Sequence, residues 1–188
     1  NNGGATSTDE PTGVSTSVIT TTDSYKWKFM YTLSAAQQAN FLSTDFMAVS
    51  PNSNPGSDQS NVMSAAVGGA IDIVKIKTAG SGGTNGTFTN IPIRGDGSGG
   101  LATVVVGGGQ VTSVTVTTPG TGYTFATISN AQIVAAGATN LAGAELDVII
   151  PPKGGHGANA QEELGAFFVM MNTSLEGTES ANSGDFSA

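Results

Sequence analysis

An internal repeat constrains this chain more than any other feature. The segment Ile71-Asp72-Ile73-Val74-Lys75-Ile76-Lys77-Thr78-Ala79-Gly80-Ser81-Gly82 returns 40 residues later as Val111-Thr112-Ser113-Val114-Thr115-Val116-Thr117-Thr118-Pro119-Gly120-Thr121-Gly122. Each copy alternates large and small side chains with the two-residue period of a strand, then ends in Gly-x-Gly. Glycine at such a turn reaches positive φ at little cost. A further β stretch follows each turn, Phe88 to Ile93 in the first copy and Tyr123 to Ile128 in the second. Leu101 to Val106 and Gly107-Gly108-Gly109 predict a hairpin into Val111, and Glu145 to Ile150 predicts another strand before Pro151-Pro152. A solenoid needs about three repeats to bury a continuous core, so two copies predict a small sandwich or barrel-like unit.

The composition agrees with a mainly β chain. Charged residues are 11% of the 188, against about 25% in a typical soluble domain, and glycine occurs 27 times. Few Lys and Glu make a poor helix former. The net charge of −8, with six Lys and Arg, argues against nucleic acid and anionic membrane surfaces, which both need clustered cations. No apolar run approaches the ~20 residues of a membrane helix. The absence of cysteine removes disulfides, thiolate nucleophiles and zinc–thiolate sites. The chain starts at Asn1 and not at Met, which reads as processing or as part of a longer gene product.

Outside the repeat the pattern changes. Residues 1–22 are polar and read as an extended arm or linker that a partner would order. Tyr25, Trp27, Phe29 and Tyr31 alternate with Lys26, Lys28 and Met30, a strong strand signal. Their aromatic face is the candidate subunit interface, with a sugar-stacking platform as the competing reading. Ser34 to Gln37 spells a capping box and predicts a short helix over about 35–43. Phe46, Met47 and Val49 predict a second short strand, and Ala166 to Leu175 the last. Residues 51–69, rich in Pro, Asn, Ser and Gly, read as a crossing into the repeat, and Glu162-Glu163-Leu164-Gly165 as a helical turn. The expected organisation is an arm at 1–22, a β-sandwich-like core from 23–50 and 151–188, and an inserted Gly-rich β domain at 51–150.

Candidate chemistry is sparse, and no catalytic, cofactor or metal residue is assigned. His156 is the single histidine, so a catalytic triad or a His-based metal site would have to use it. It lies between glycines, and no orienting partner is evident, which favours a structural hydrogen bond. The run Gly95-Asp96-Gly97-Ser98-Gly99-Gly100 is close in spelling to a protease nucleophile loop and to a Ca²⁺-binding β-roll turn. The first needs a different glycine spacing, and the second needs tandem copies. Arg94-Gly95-Asp96 spells an adhesion tripeptide, and a tight turn is the simpler reading. Gly80 to Gly83 and Gly107 to Gly109 lack the Lys-Ser/Thr of a phosphate loop. Glu162 and Glu163 are neighbours that point apart, a poor pair for glycoside hydrolysis.

Two flanking stretches resemble one family. They are Thr22 to Leu33 with Phe41 to Val49, and Pro151-Pro152-Lys153-Gly154-Gly155-His156-Gly157 with Glu163 to Ala166 and Val169 to Asn172. Both are similar, in the same order, to baseplate wedge proteins of T4-like contractile-tailed bacteriophages, the subunit corresponding to T4 gene product 8. Members of that family are longer at both ends. The resemblance implies a non-enzymatic virion protein of the tail baseplate, with a β-sandwich, that dimerises and contacts other wedge subunits. The alternative from another class is a receptor- or glycan-binding module using insert loops near Arg94 and Tyr123. A polysaccharide-degrading enzyme relying on one of the carboxylates is the third.

Overall fold

The computed structural model describes residues 5–169. Nine strands occur there: β1 Ile19–Thr20, β2 Lys26–Trp27, β3 Ile73–Ser81, β4 Gly86–Pro92, β5 Arg94–Gly95, β6 Leu101–Gly107, β7 Gln110–Thr118, β8 Ala126–Thr127 and β9 Ala142–Ile149. The helices are α1 Ala35–Phe41, α2 Ser57–Ala65, α3 Asn130–Ala135 and α4 Ala160–Glu163. All strand pairs are antiparallel: β1 with β2, β3 with β9, β5 with β8, and β6 between β4 and β7. The chain is therefore mainly β, with several small antiparallel sheets and few short helices.

One core serves the repeat. Along β6 every second side chain is buried, Ala102, Val104 and Val106, as a strand with one dry face requires. Val74 of β3, Ala144 and Val148 of β9, and Ile133 of α3 join them, with Ile71, Ile91, Ile128 and Leu141 closing the periphery. The β3–β9 pair is not a separate layer, because β3 lies alongside β7. The Ile71 amide donates to the Pro119 carbonyl at 2.9 Å at one end of that seam, and the Gly83 amide donates to the Gly109 carbonyl at 2.9 Å at the other. The two strands that the repeat predicts are thus antiparallel neighbours.

The Gly-x-Gly turns adopt matching conformations. Gly80 and Gly82 have φ of 72° and 77°, and Gly120 and Gly122 have 67° and 78°. The β6–β7 hairpin closes through Gly108 and Gly109, at φ 61° and 78°, the two positive values that a type I′ turn demands.

Other expectations need correction. The aromatic strand shrinks to Lys26–Trp27, since its only partner, Ile19–Thr20, is equally short. Ile19–Thr20 lies inside the segment expected to be an extended arm. Phe46, Met47 and Val49 lie outside regular structure. Of Tyr123 to Ile128 only Ala126–Thr127 is strand, and 166–169 contains none, with the rest of that predicted strand outside the described residues. The 51–69 crossing contains α2, whose N-cap Gly56 makes no side-chain hydrogen bond and so leaves no capping signature. The helix packs through Val62 and Gln59, both buried.

The entry and exit of the repeat meet. A Cβ on Gly68 would touch Gly154, and one on Gly155 would lie 2.4 Å from the Val67 carbonyl oxygen. Ile71 is fully buried beside this neck. Ile71→Ala is expected to cost about 2–5 kcal/mol, read as a lower urea midpoint at unchanged m-value.

Candidate functional site

The large apolar side chains left in solvent are unevenly placed. Between Gly68 and Ile149 they are Phe125 and Ile149. Flanking the repeat are Val14, Trp27, Phe41, Leu42, Phe46, Met47 and Val67 on one side, with Leu164, Phe167, Phe168 and Val169 on the other. Phe46 is 66% exposed and Phe168 is 92% exposed. Isolated exposed apolar residues are ordinary, whereas runs of them mark contact surfaces.

Helix α1 sharpens the point. A complete capping box starts it: the Ser34 amide donates to Gln37 Oε1 at 2.8 Å, and the Gln37 amide donates to Ser34 Oγ at 3.2 Å. Yet none of its seven residues is buried. Isolated helices shorter than about 12–15 residues are marginal in water, and tertiary packing normally supplies the stability. Among the described residues, nothing buries this helix or the side chains of Phe41, Leu42, Phe46 and Met47.

The neighbouring β1–β2 ribbon is held by carboxylates and not by a core. Asp23 Oδ2 accepts from Ser7 Oγ at 2.6 Å, the Thr8 amide at 2.9 Å and the Asp9 amide at 3.3 Å. Its Oδ1 accepts from Thr21 Oγ1 at 2.6 Å and the Tyr25 amide at 3.3 Å. The hydroxyls of Ser7 and Thr21 chiefly hold its pKa well below the usual carboxylate range. Asp9 reciprocates, accepting from the amide and hydroxyl of Thr22 at 2.7 Å each, and its pKa is lowered mainly by that hydroxyl. These bonds fold the Ser7-to-Asp9 stretch back onto the turn between β1 and β2.

The four predicted interface aromatics divide into two pairs. Tyr25 and Trp27 stay together, with ring centroids 6.1 Å apart and planes tilted by 43°. Trp27 Nε1 donates to Thr21 Oγ1 at 3.2 Å, and the Tyr25 hydroxyl donates to the Ala5 carbonyl. Phe29 and Tyr31 lie beyond the ribbon and are half-buried. The Tyr31 hydroxyl donates to the Ala48 carbonyl at 2.7 Å, and burial raises its pKa. Tyr31 thereby ties down the stretch that exposes Phe46 and Met47.

The sequence reading missed the orienting partner of His156. Its Nδ1 is paired with Glu163 Oε1, while Glu163 Oε2 accepts from the Gly157 amide at 2.8 Å. The pair anchors the Gly-rich loop to α4. Among the described residues no Ser or Thr hydroxyl hydrogen-bonds to His156, and no group of His, Cys, Asp and Glu is placed to hold a metal ion. The arrangement fixes the imidazole by its Nδ1 contact with Glu163.

The insert loops are internally committed. Tyr123 is buried, its hydroxyl donating to the Ile93 carbonyl at 2.9 Å and accepting from the Gly100 amide at 3.1 Å. Asp96 accepts from the Thr124 hydroxyl at 2.5 Å, the Thr124 amide at 2.9 Å and the Phe125 amide at 3.1 Å. An Arg-Gly-Asp ligand needs a free carboxylate, and this one closes a turn. Arg94 lines an open cleft of about 340 Å³ with Ser98 and the surrounding glycines. No helix among the described residues is long and apolar enough to cross a membrane.

The Asp96 bonds, led by the Thr124 hydroxyl, lower its pKa from 3.8 to about 2. A depressed carboxylate stabilises fully above its unfolded pKa and loses that contribution as pH falls through the folded one. Asp96→Asn should therefore flatten the loss of melting temperature between pH 3.8 and about 2, measured by thermal circular dichroism. Comparison of the chain with family models, with curated proteins and with solved structures finds no match.

Proposed function

We propose that this chain is a structural component of a phage tail baseplate wedge, holding neighbouring subunits together during assembly and contraction. The observation that carries the proposal is the exposure of Phe41, Leu42, Phe46 and Met47 at and just after the end of α1. These four residues lie in the Phe41-to-Val49 segment, whose sequence resembles wedge proteins. In this reading the flanks belong to a sandwich-like core shared with neighbouring subunits, and the Gly-rich unit is inserted between them. The meeting of Val67 and Gly68 with Gly154 and Gly155 supports insertion, because an inserted unit must return the chain to its point of departure.

The role is mechanical and uses no cofactor. Apolar side chains that a neighbour covers drive association through the area they remove from water. A switching assembly needs interfaces with two discrete packings, and a short helix with no buried residue is easily repacked. A glycan-binding role through the loops has less support, since Tyr123 is buried and Asp96 is engaged in a turn.

Immunogold electron microscopy of virions that carry this chain tests the proposal. Label at the baseplate end of contractile tails is the expected result; label confined to fibres, capsids or cell surfaces overturns it. The double change Phe46→Ser with Met47→Ser should alter the stability of the isolated chain by no more than about 0.5 kcal/mol per site, as for exposed residues generally. The same variant should fail to enter particles in a complementation assay.

A further inference from the structure

We infer that residues 68–150 are a fused dimer of one motif, whose halves each complete the other, so that the partner this unit fits is a second copy of itself. The inference is independent of the assembly role proposed above.

The argument rests on contacts that recur between the copies: the leading strands and their Gly-x-Gly turns are related by 40 residues, and the returning strands by 44, as the pairs Ser81–Ala142 and Thr121–Ser98 show. The Gly83 amide donates to the Gly109 carbonyl at 2.9 Å, and the Tyr123 amide donates to the Gly69 carbonyl at 3.3 Å. Residues 83 and 123 are repeat equivalents, as are 69 and 109. Each bond therefore runs from one copy to the other, and the two are reciprocal. Gly69 and Gly109 also share positive φ, 69° and 78°.

Two further contacts behave alike. Thr84 uses its amide and its hydroxyl on Thr139 of the second half, while Thr124 uses its amide and hydroxyl on Asp96 of the first. Ser81 pairs with Ala142 just before the body of β9, and Thr121 pairs with Ser98 just before β6. The strand pairing follows the same rule. β6 of the first half pairs with β7 of the second, and β9 of the second pairs with β3 of the first. Each leading strand receives the returning strand of the other copy. The seam between β3 and β7 lies where such a two-fold relation requires equivalent strands to run antiparallel.

Such a unit is joined across its halves at one place only in sequence, the two-residue turn Gly108–Gly109 between β6 and β7. Gly108 is exposed, and a Cβ there would meet nothing within 4 Å. If that turn is opened, the second half of one chain can occupy the same position on another chain, with every contact except the turn retained.

Two measurements on the full chain test this. A protease site inserted between Gly108 and Gly109 and then cut should leave two pieces that co-elute at the mass of the intact chain. Pieces that separate on size exclusion in native buffer overturn the inference. The second uses Gly108→Val with Gly109→Val, which disfavours the type I′ turn at both positions. It should elute at twice the monomer mass, with an unchanged β spectrum. A folded variant that remains monomeric overturns the inference. If the variant does not fold, the cut chain alone decides.

Discussion

The two halves of the repeat approach each other closely at glycines. A Cβ on Gly69 would sit 2.1 Å from the Tyr123 nitrogen, and one on Gly120 would sit 2.6 Å from both the Gly100 nitrogen and the Ser98 oxygen. Nothing larger than hydrogen fits, and each residue also has positive φ, which side chains rarely adopt. These contacts let the two halves approach until main chain hydrogen-bonds to main chain. The core of Ile, Val and Ala then closes, with Tyr123 as its one fully buried aromatic among the described residues. Replacing either glycine would disturb the backbone of both halves at once, which binds the turn chemistry to the packing of the core.

The two halves are not identical, and their departures are informative. Tyr123 stands where the first copy has Gly83. It fills the space under the Gly97-to-Gly100 loop and satisfies its hydroxyl within that loop, whereas Gly83 leaves room for the side chains of Leu141 and Val106. The second half also carries α3 where the first has the Asp96 loop. Asn130 of that helix accepts from the Ala144 amide and donates to the Leu141 carbonyl, docking the helix onto the start of β9.

Most of the repeat was legible in the sequence because a two-residue period and paired glycines are local signals. The hairpin at 107–109, the strand before Pro151 and the Ser34 capping box share that property. Helix α3 carried the same signature at Ser129 and Gln132 but was overlooked beside a stretch read as strand. Helix α2 had no cap to announce it. The Tyr25-to-Tyr31 alternation misled because strand length depends on a partner strand, and Ile19–Thr20 offers two residues. The Asp23 clamp and the His156–Glu163 pair were beyond local reading. The first joins a turn to residues far back along the chain, and the second depends on how a glycine loop bends toward α4.

The meeting of entry and exit has a mechanical meaning. Ile73 faces Ile149 at the open end of the β3–β9 pair, just inside the neck where Val67 meets Gly155. Tension applied to the two flanks would first part that neck. It would then peel β9 from β3 one rung at a time, since the load reaches each cross-strand bond singly. Strands loaded from opposite ends resist by shear, with many bonds sharing the force. This unit is built the other way, so it yields early under tension while remaining firm when unloaded.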